Sequence, residues 1–153
     1  MKARITGFET EYTKILEMAV AFATEKLHLP KNENLIVMKD VLPLGFNGVC
    51  GIGDIPLIIK LSEKIDCLKT IETFMHELVH VKQFYKNELT ILDGELVFHN
   101  KKFTQTDKLE ILINSGYQHL PWEVEAFALQ TPLFEEFMFS LPPDELYYLD
   151  RHK

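Results

Sequence analysis

The chain has 153 residues, about the size of one domain, and that is long enough to bury a core without disulfides or metals as staples. With 46% of residues hydrophobic and 25% charged, it is neither disordered nor a fibrous repeat. Sixteen Lys and Arg against 23 Asp and Glu give a net charge of -7, which disfavours nucleic acid and anionic membrane surfaces as partners, since both call for a basic face.

The first stretch, Met1-Lys2-Ala3-Arg4, is basic, but no continuous apolar run follows it. Ile15 to Ala23 is interrupted by Glu17. Neither a signal peptide nor a transmembrane helix fits, so the sequence reads as a soluble, cytoplasmic protein. Residues Thr10 to Leu27 carry Ile15, Met18, Ala19, Phe22 and Ala23 at helical spacing, and Pro30 with the polar residues after it ends that helix. Leu35 to Met38 reads as a strand. The glycine-bearing stretch Leu44 to Gly53 suggests bulges or a close backbone approach. Ile55 to Leu61 reads as a further strand, and Pro56 at its start favours an edge position. The free thiols expected at Cys50 and Cys67 lack the spacing of a zinc knuckle and are too few for a disulfide framework.

From Asp66 to Lys86 the period turns helical, with Asp66 as cap and Ile71, Met75, Leu78 and Val79 as the apolar stripe. Leu89 to Phe98 predicts a hairpin closed by Asp93-Gly94 in a type I′ turn. A helix over Thr106 to Asn114 and a loop from Ser115 to Leu120 follow. Pro121 then opens a helix running to Gln130. Pro132 kinks it or begins a second helix capped by Thr131, the Phe-rich stretch Phe134 to Phe139 packs in the core, and Pro142-Pro143 precedes a short terminal helix. No repeat or linker divides the chain, so residues 1–153 form a single α+β domain, helices around a small mixed sheet with no alternating βαβ run.

Chemistry concentrates in His76-Glu77-Leu78-Val79-His80, an HExxH pentapeptide. Random order would produce roughly 0.02 such sequences per chain of this composition. On a helix the two histidines share a face one turn apart and can bind one metal ion, while Glu77 points about 100° away, toward a water on that ion. Imidazole and carboxylate ligands with one open position suit catalytic zinc, with Glu77 as general base. The apolar stripe leaves the histidines at the edge of a polar face, with Glu72, Thr73 and Gln83 on the open side. Gln83 either lines the site or is solvated.

A third ligand is required. Lys86 and Gln83 occupy the positions where a metzincin has its third His and its Gly, which excludes that subclass. His28, His99, His119 and His152 remain, but the stronger candidates are Glu123 and Glu125 in Pro121-Trp122-Glu123-Val124-Glu125-Ala126. Trp122 reads as a core anchor. Tyr117 and His119, just before that helix, are candidate oxyanion stabilisers.

On His76 to Gln83 and Leu120 to Ala128 the sequence resembles a minimal gluzincin, a small zincin-like metallopeptidase of the type found in bacteria and phages. The resemblance extends loosely over residues 70–130. It implies a zincin-like fold, one Zn²⁺ per chain, HExxH on a central helix, an edge strand over the cleft and a Glu ligand on a following helix. Relatives with a proline-aromatic-Glu-x-Glu-Ala pattern point to Glu123 as the ligand. Alignment of Glu125 to Ala128 with the Glu-Gly-x-Ala of aminopeptidase-like gluzincins points to Glu125. Glu123 is preferred, with Glu125 behind it as support or as the alternative ligand. Many gluzincins carry Asp or Asn four residues after the ligand; here Phe127 stands there, so support for the first His has to come from elsewhere.

Two functions follow. The first is a zinc peptidase acting on a peptide or protein, with the strand Ile55 to Leu61 pairing with the extended substrate. The second is a non-catalytic metal-binding regulatory or interaction module on the same fold. Glu77 argues for the first, because a structural site has no use for a carboxylate beside the metal. Nothing in the sequence sets an oligomeric state.

Overall fold

The computed structural model describes residues 1–103 and 119–152. The predicted helix Thr106–Asn114, most of the following loop and Tyr117 lie outside these residues. The chain opens with β1 (Lys2–Thr6), α1 (Thr10–Lys26) and β2 (Asn34–Asp40). β1 and β2 are parallel neighbours, Ala3 opposite Leu35 and Ile5 opposite Val37. This single βαβ unit is not among the expected elements, although no alternating βαβ run follows it among the described residues. β1 escapes the sequence reading because only its alternate residues Ala3 and Ile5 turn inward, and neither is fully buried.

β3 (Gly48–Gly51) and β4 (Leu57–Ser62) complete a mixed sheet in the order β1-β2-β4-β3. β4 pairs in parallel with β2 and antiparallel with β3. The strand over Ile55 to Leu61, expected at the edge, is therefore internal, and β3 is the edge. Pro56 precedes β4, joined by a cis bond to Ile55, so its missing N–H removes no ladder hydrogen bond. Leu57, Ile59 and Leu61 are completely buried, as an internal strand requires.

α2 (Cys67–Tyr85) begins where predicted, with the Asp66 carboxylate accepting from the Lys69 N–H at 2.8 Å. Tyr12 of α1 ties down the same end, its hydroxyl donating to the Cys67 carbonyl at 2.6 Å. The hairpin of β5 (Leu89–Leu92) and β6 (Glu95–Phe98) forms with positive φ at Asp93 (52°) and Gly94 (79°), as a type I′ turn demands. A second tight turn at His99 (φ 48°) and Asn100 (φ 66°) adds β7 (Lys101–Phe103), which the sequence pattern did not announce.

α3 spans Pro121–Ser140 without a break, and α4 covers Pro143–Arg151. Thr131 caps nothing. Pro132 is accommodated inside α3, where it removes one helical hydrogen bond, because Ala126, Leu133 and Phe137 on either side of it are held in the core. Phe139, in contrast to the expected core packing of Phe134 to Phe139, is 93% exposed.

α1, α2, α3 and the four-stranded sheet share one core, with Ile15, Leu16, Leu35, Ile59, Phe74, Leu78 and Phe137 among its residues. A smaller core of Leu89, Phe98, Phe103, Leu120 and Trp122 joins the three-stranded sheet to the start of α3. α2 runs between these layers and is buried almost all round. Thr73 and Gln83, expected on an open side, are buried, Thr73 beneath Gly48 of β3 and Gln83 against the start of α3. Among the described residues no helix is long and apolar enough to cross a membrane.

Because α2 carries the histidines, its cap bears on the site. Asp66→Ala is expected to lower stability by about 1 kcal/mol, read as a shift in the urea midpoint with an unchanged slope.

Candidate metal centre

His76 and His80 lie one turn apart on α2, with ring centroids separated by 5.0 Å and planes at 79°. Glu123 stands in the first turn of α3, where the helix dipole favours an acidic side chain. One of its carboxylate oxygens lies 2.8 Å from His76 Nε2 and the other 3.0 Å from His80 Nε2. All three residues are buried, and their ligand atoms fall within 4.8 Å of one another.

Electrostatics bind this trio tightly. Burial alone pushes the Glu123 carboxyl up, but hydrogen bonds from His76 and His80 and their charges overrule it and bring it down to about 2. Burial likewise pulls the His80 imidazole down, and Glu123 with Glu77 reverses that, lifting it to about 9. Glu123 thus bridges the two rings, in the place a cation would take.

The outer nitrogens show that the donor set fits a metal. The Gln83 side-chain amide donates to the Trp122 carbonyl at 2.9 Å and to the Glu125 carboxylate at 2.8 Å. Both partners are acceptors only, so the amide orientation is settled, and Gln83 Oε1 must accept from His80 Nδ1–H at 2.8 Å. Gln130 plays the same part for His76, its Oε1 2.8 Å from Nδ1 and its amide facing Glu72 at 3.4 Å. With both Nδ1 atoms donating outward, both Nε2 lone pairs are directed at Glu123 once their protons leave. Ligands about 2.0–2.1 Å from a tetrahedral zinc lie roughly 3.3 Å apart, and each imidazole Nε2 stands within about half an ångström of that spacing from its nearer Glu123 oxygen, at 2.8 and 3.0 Å.

Glu77 turns away from the trio, as the helical spacing predicts, and lines the cleft beside it. Burial, tempered by His80 and His76 and reinforced by Glu123, raises its carboxyl to about 7. β3 crosses directly over it. A Cβ on Gly48 would stand 2.7 Å from the Thr73 methyl, 3.0 Å from Glu77 Oε1 and 3.2 Å from its Cγ, so only glycine lets the edge strand approach this closely. Cys50, a free thiol on the same strand, is pushed well above its ordinary pKa by burial and then by Glu77.

Glu125 stands behind the centre. Besides Gln83 it accepts from Lys82 Nζ at 3.0 Å. Glu88, His99 and Glu125 form a second cluster of ligand-type atoms, but Lys82 Nζ already lies 2.9 Å from Glu88 and 3.0 Å from Glu125 and neutralises it. His119 is exposed ahead of α3 and is absent from the described lining of the cleft; Tyr117 lies outside the described residues. Phe127, four residues after Glu123, packs its ring on His76 at 4.5 Å. The support it cannot give comes from Gln130, whose position seven residues after Glu123, two turns along the same face of α3, was a signal the sequence reading missed.

No protein-family model, curated protein or solved structure matches the chain. Function is therefore read from these residues themselves.

Gln83→Leu and Gln130→Leu each release one imidazole from its tautomer and are expected to weaken zinc affinity about 10- to 100-fold, measured by competition with a chromogenic chelator. Uptake of a divalent metal ion would have to displace the proton on His80. Apparent affinity is therefore expected to climb by up to about tenfold per pH unit as pH rises toward the His80 value of about 9, and to flatten above it.

Proposed function

We propose that the protein is a zinc-dependent peptidase, with His76, His80 and Glu123 holding the ion and Glu77 as general base. The observation that carries this reading is the pairing of a three-ligand cluster with a fourth, non-ligating carboxylate in one cleft. Among the described residues no fourth ligand closes the cluster, which is the pattern of a catalytic rather than a structural zinc site. When bound, zinc would supply Lewis-acid polarisation of the scissile carbonyl and acidify a water.

The chain's own residues supply the rest. Glu77, buried beside the ligand cluster, accepts the proton of the attacking water and returns it to the leaving nitrogen. Gln83 and Gln130 hold the imidazoles in register. The edge of β3, which pairs with no further strand among the described residues, offers backbone donors and acceptors to an extended peptide, which Gly48 allows to lie close above Glu77. That role moves from the strand Ile55 to Leu61 to its neighbour, because the former has both edges occupied. The surface recess that receives the peptide is narrow, and a non-catalytic metal module would have no need of Glu77 inside it.

Four proteins test this: wild type, Glu77→Gln, Glu123→Gln and Glu125→Gln, each assayed for bound zinc and for peptide hydrolysis. Glu77→Gln is expected to keep stoichiometric zinc and lose about 10²- to 10⁴-fold in turnover. Glu123→Gln is expected to lose zinc, and Glu125→Gln to retain it with reduced affinity. Wild type without stoichiometric zinc overturns the reading; zinc kept by Glu123→Gln and lost by Glu125→Gln reassigns the ligand. Removal of zinc by chelator is expected to abolish hydrolysis, and its return to restore it.

A further inference from the structure

The cleft over Glu77 is not uniform along β3. Two recesses meet at Gly48, His76 and Glu77 and differ in size and chemistry. The larger, about 200 Å³, takes in the three-ligand cluster and extends toward the C-terminal end of β3, where Val49, Cys50, Ile52 and Trp122 wall it. Ile52 and Trp122 belong to the smaller apolar core under the three-stranded sheet, so this wall is a core surface laid open to the site. A bulky apolar side chain entering this end of the cleft would lie against Ile52 and Trp122.

The smaller recess, about 70 Å³, lies toward the N-terminal end of β3 and is walled by Asn47, Lys69, Thr73 and Gln130 with Phe127. Its lysine, Lys69, is paired with Glu72 at 2.7 Å and Glu77 lines its other side, so opposite charges offset there and little space remains. Antiparallel pairing is the more stable way to extend an edge. A peptide laid antiparallel on β3 runs from the Ile52 end toward the Gly48 end, placing its acyl side in the large recess and its amine side in the small one.

We propose that the cleft selects peptides with a large apolar residue on the acyl side of the scissile bond and a small uncharged residue on the amine side, Ile52 and Trp122 forming the selecting wall. This rests on the peptidase reading for the bond that is cut, but the selection itself is a binding property and can be measured without turnover. Burial of one large apolar side chain corresponds to roughly 10- to 100-fold in affinity.

Trp122 is the only tryptophan in the chain, so its fluorescence reports occupancy of the larger recess. Zinc-loaded Glu77→Gln is titrated with three blocked hexapeptides on an alanine background: Phe before the central bond, Phe after it, and all Ala. The first is expected to bind about 10- to 100-fold more tightly than the other two, and Ile52→Glu in the same background is expected to erase the difference. Equal affinities, tighter binding of the peptide with Phe after the bond, or a preference that survives Ile52→Glu each overturn the proposal. The same peptides given to zinc-loaded wild type separate the two readings. Selective binding without cleavage sinks the peptidase reading and leaves the recess; cleavage of all three at equal rates does the reverse.

Discussion

The structure depends on one arrangement: a carboxylate, Glu123, buried between two imidazoles where α2 meets α3. Taking a carboxylate out of water costs several kcal/mol unless every lone pair finds a partner. Here the partners come from a different helix, so the charge is stable only when α3 lies along α2 in one register. The same docking brings Gln130 to His76, the Trp122 carbonyl and Glu125 to Gln83, and Lys82 to Glu125. The polar network thus defines how two otherwise apolar helices meet, and a buried network of this kind favours a unique arrangement because every half-satisfied alternative is penalised.

Around that network the fold leaves one open side. The sheet ends at β3, whose glycine brings backbone down onto Glu77, and the small second core ends at Trp122 and Ile52. A buried carboxylate, a three-ligand cluster and the edge strand of the described sheet therefore converge on one cleft. Neutral amides rather than carboxylates face both Nδ1 atoms, so the charge at the centre is left to Glu123 and Glu77.

Much of the site was legible in the chain. Two histidines four residues apart share a helix face by geometry alone, and Asp66 marked the start of α2 because its side chain satisfies a free helical N–H. The Asp93-Gly94 turn was equally plain, since a type I′ turn needs two residues tolerant of positive φ. Other features had no local signal. β1 and β7 are short and half-exposed, and only their pairing makes them strands. Pro56 suggested an edge because a proline in a strand removes a donor, yet one residue's displacement put it outside the ladder. Pro132 looked like a helix break because local propensity penalises it, and burial of the flanking residues prevailed.

The sequence by itself determined the groups available: an imidazole pair, a carboxylate beside it on the same helix and acidic candidates on a later helix, because these follow from covalent spacing and helical period. Only the tertiary structure decided between Glu123 and Glu125 as the carboxylate facing the imidazoles, assigned Gln83 and Gln130 to the outer nitrogens, and made β3 rather than β4 the edge. Those choices rest on which surfaces pack together, and packing across 40 or 50 residues of separation leaves no periodic trace in the chain.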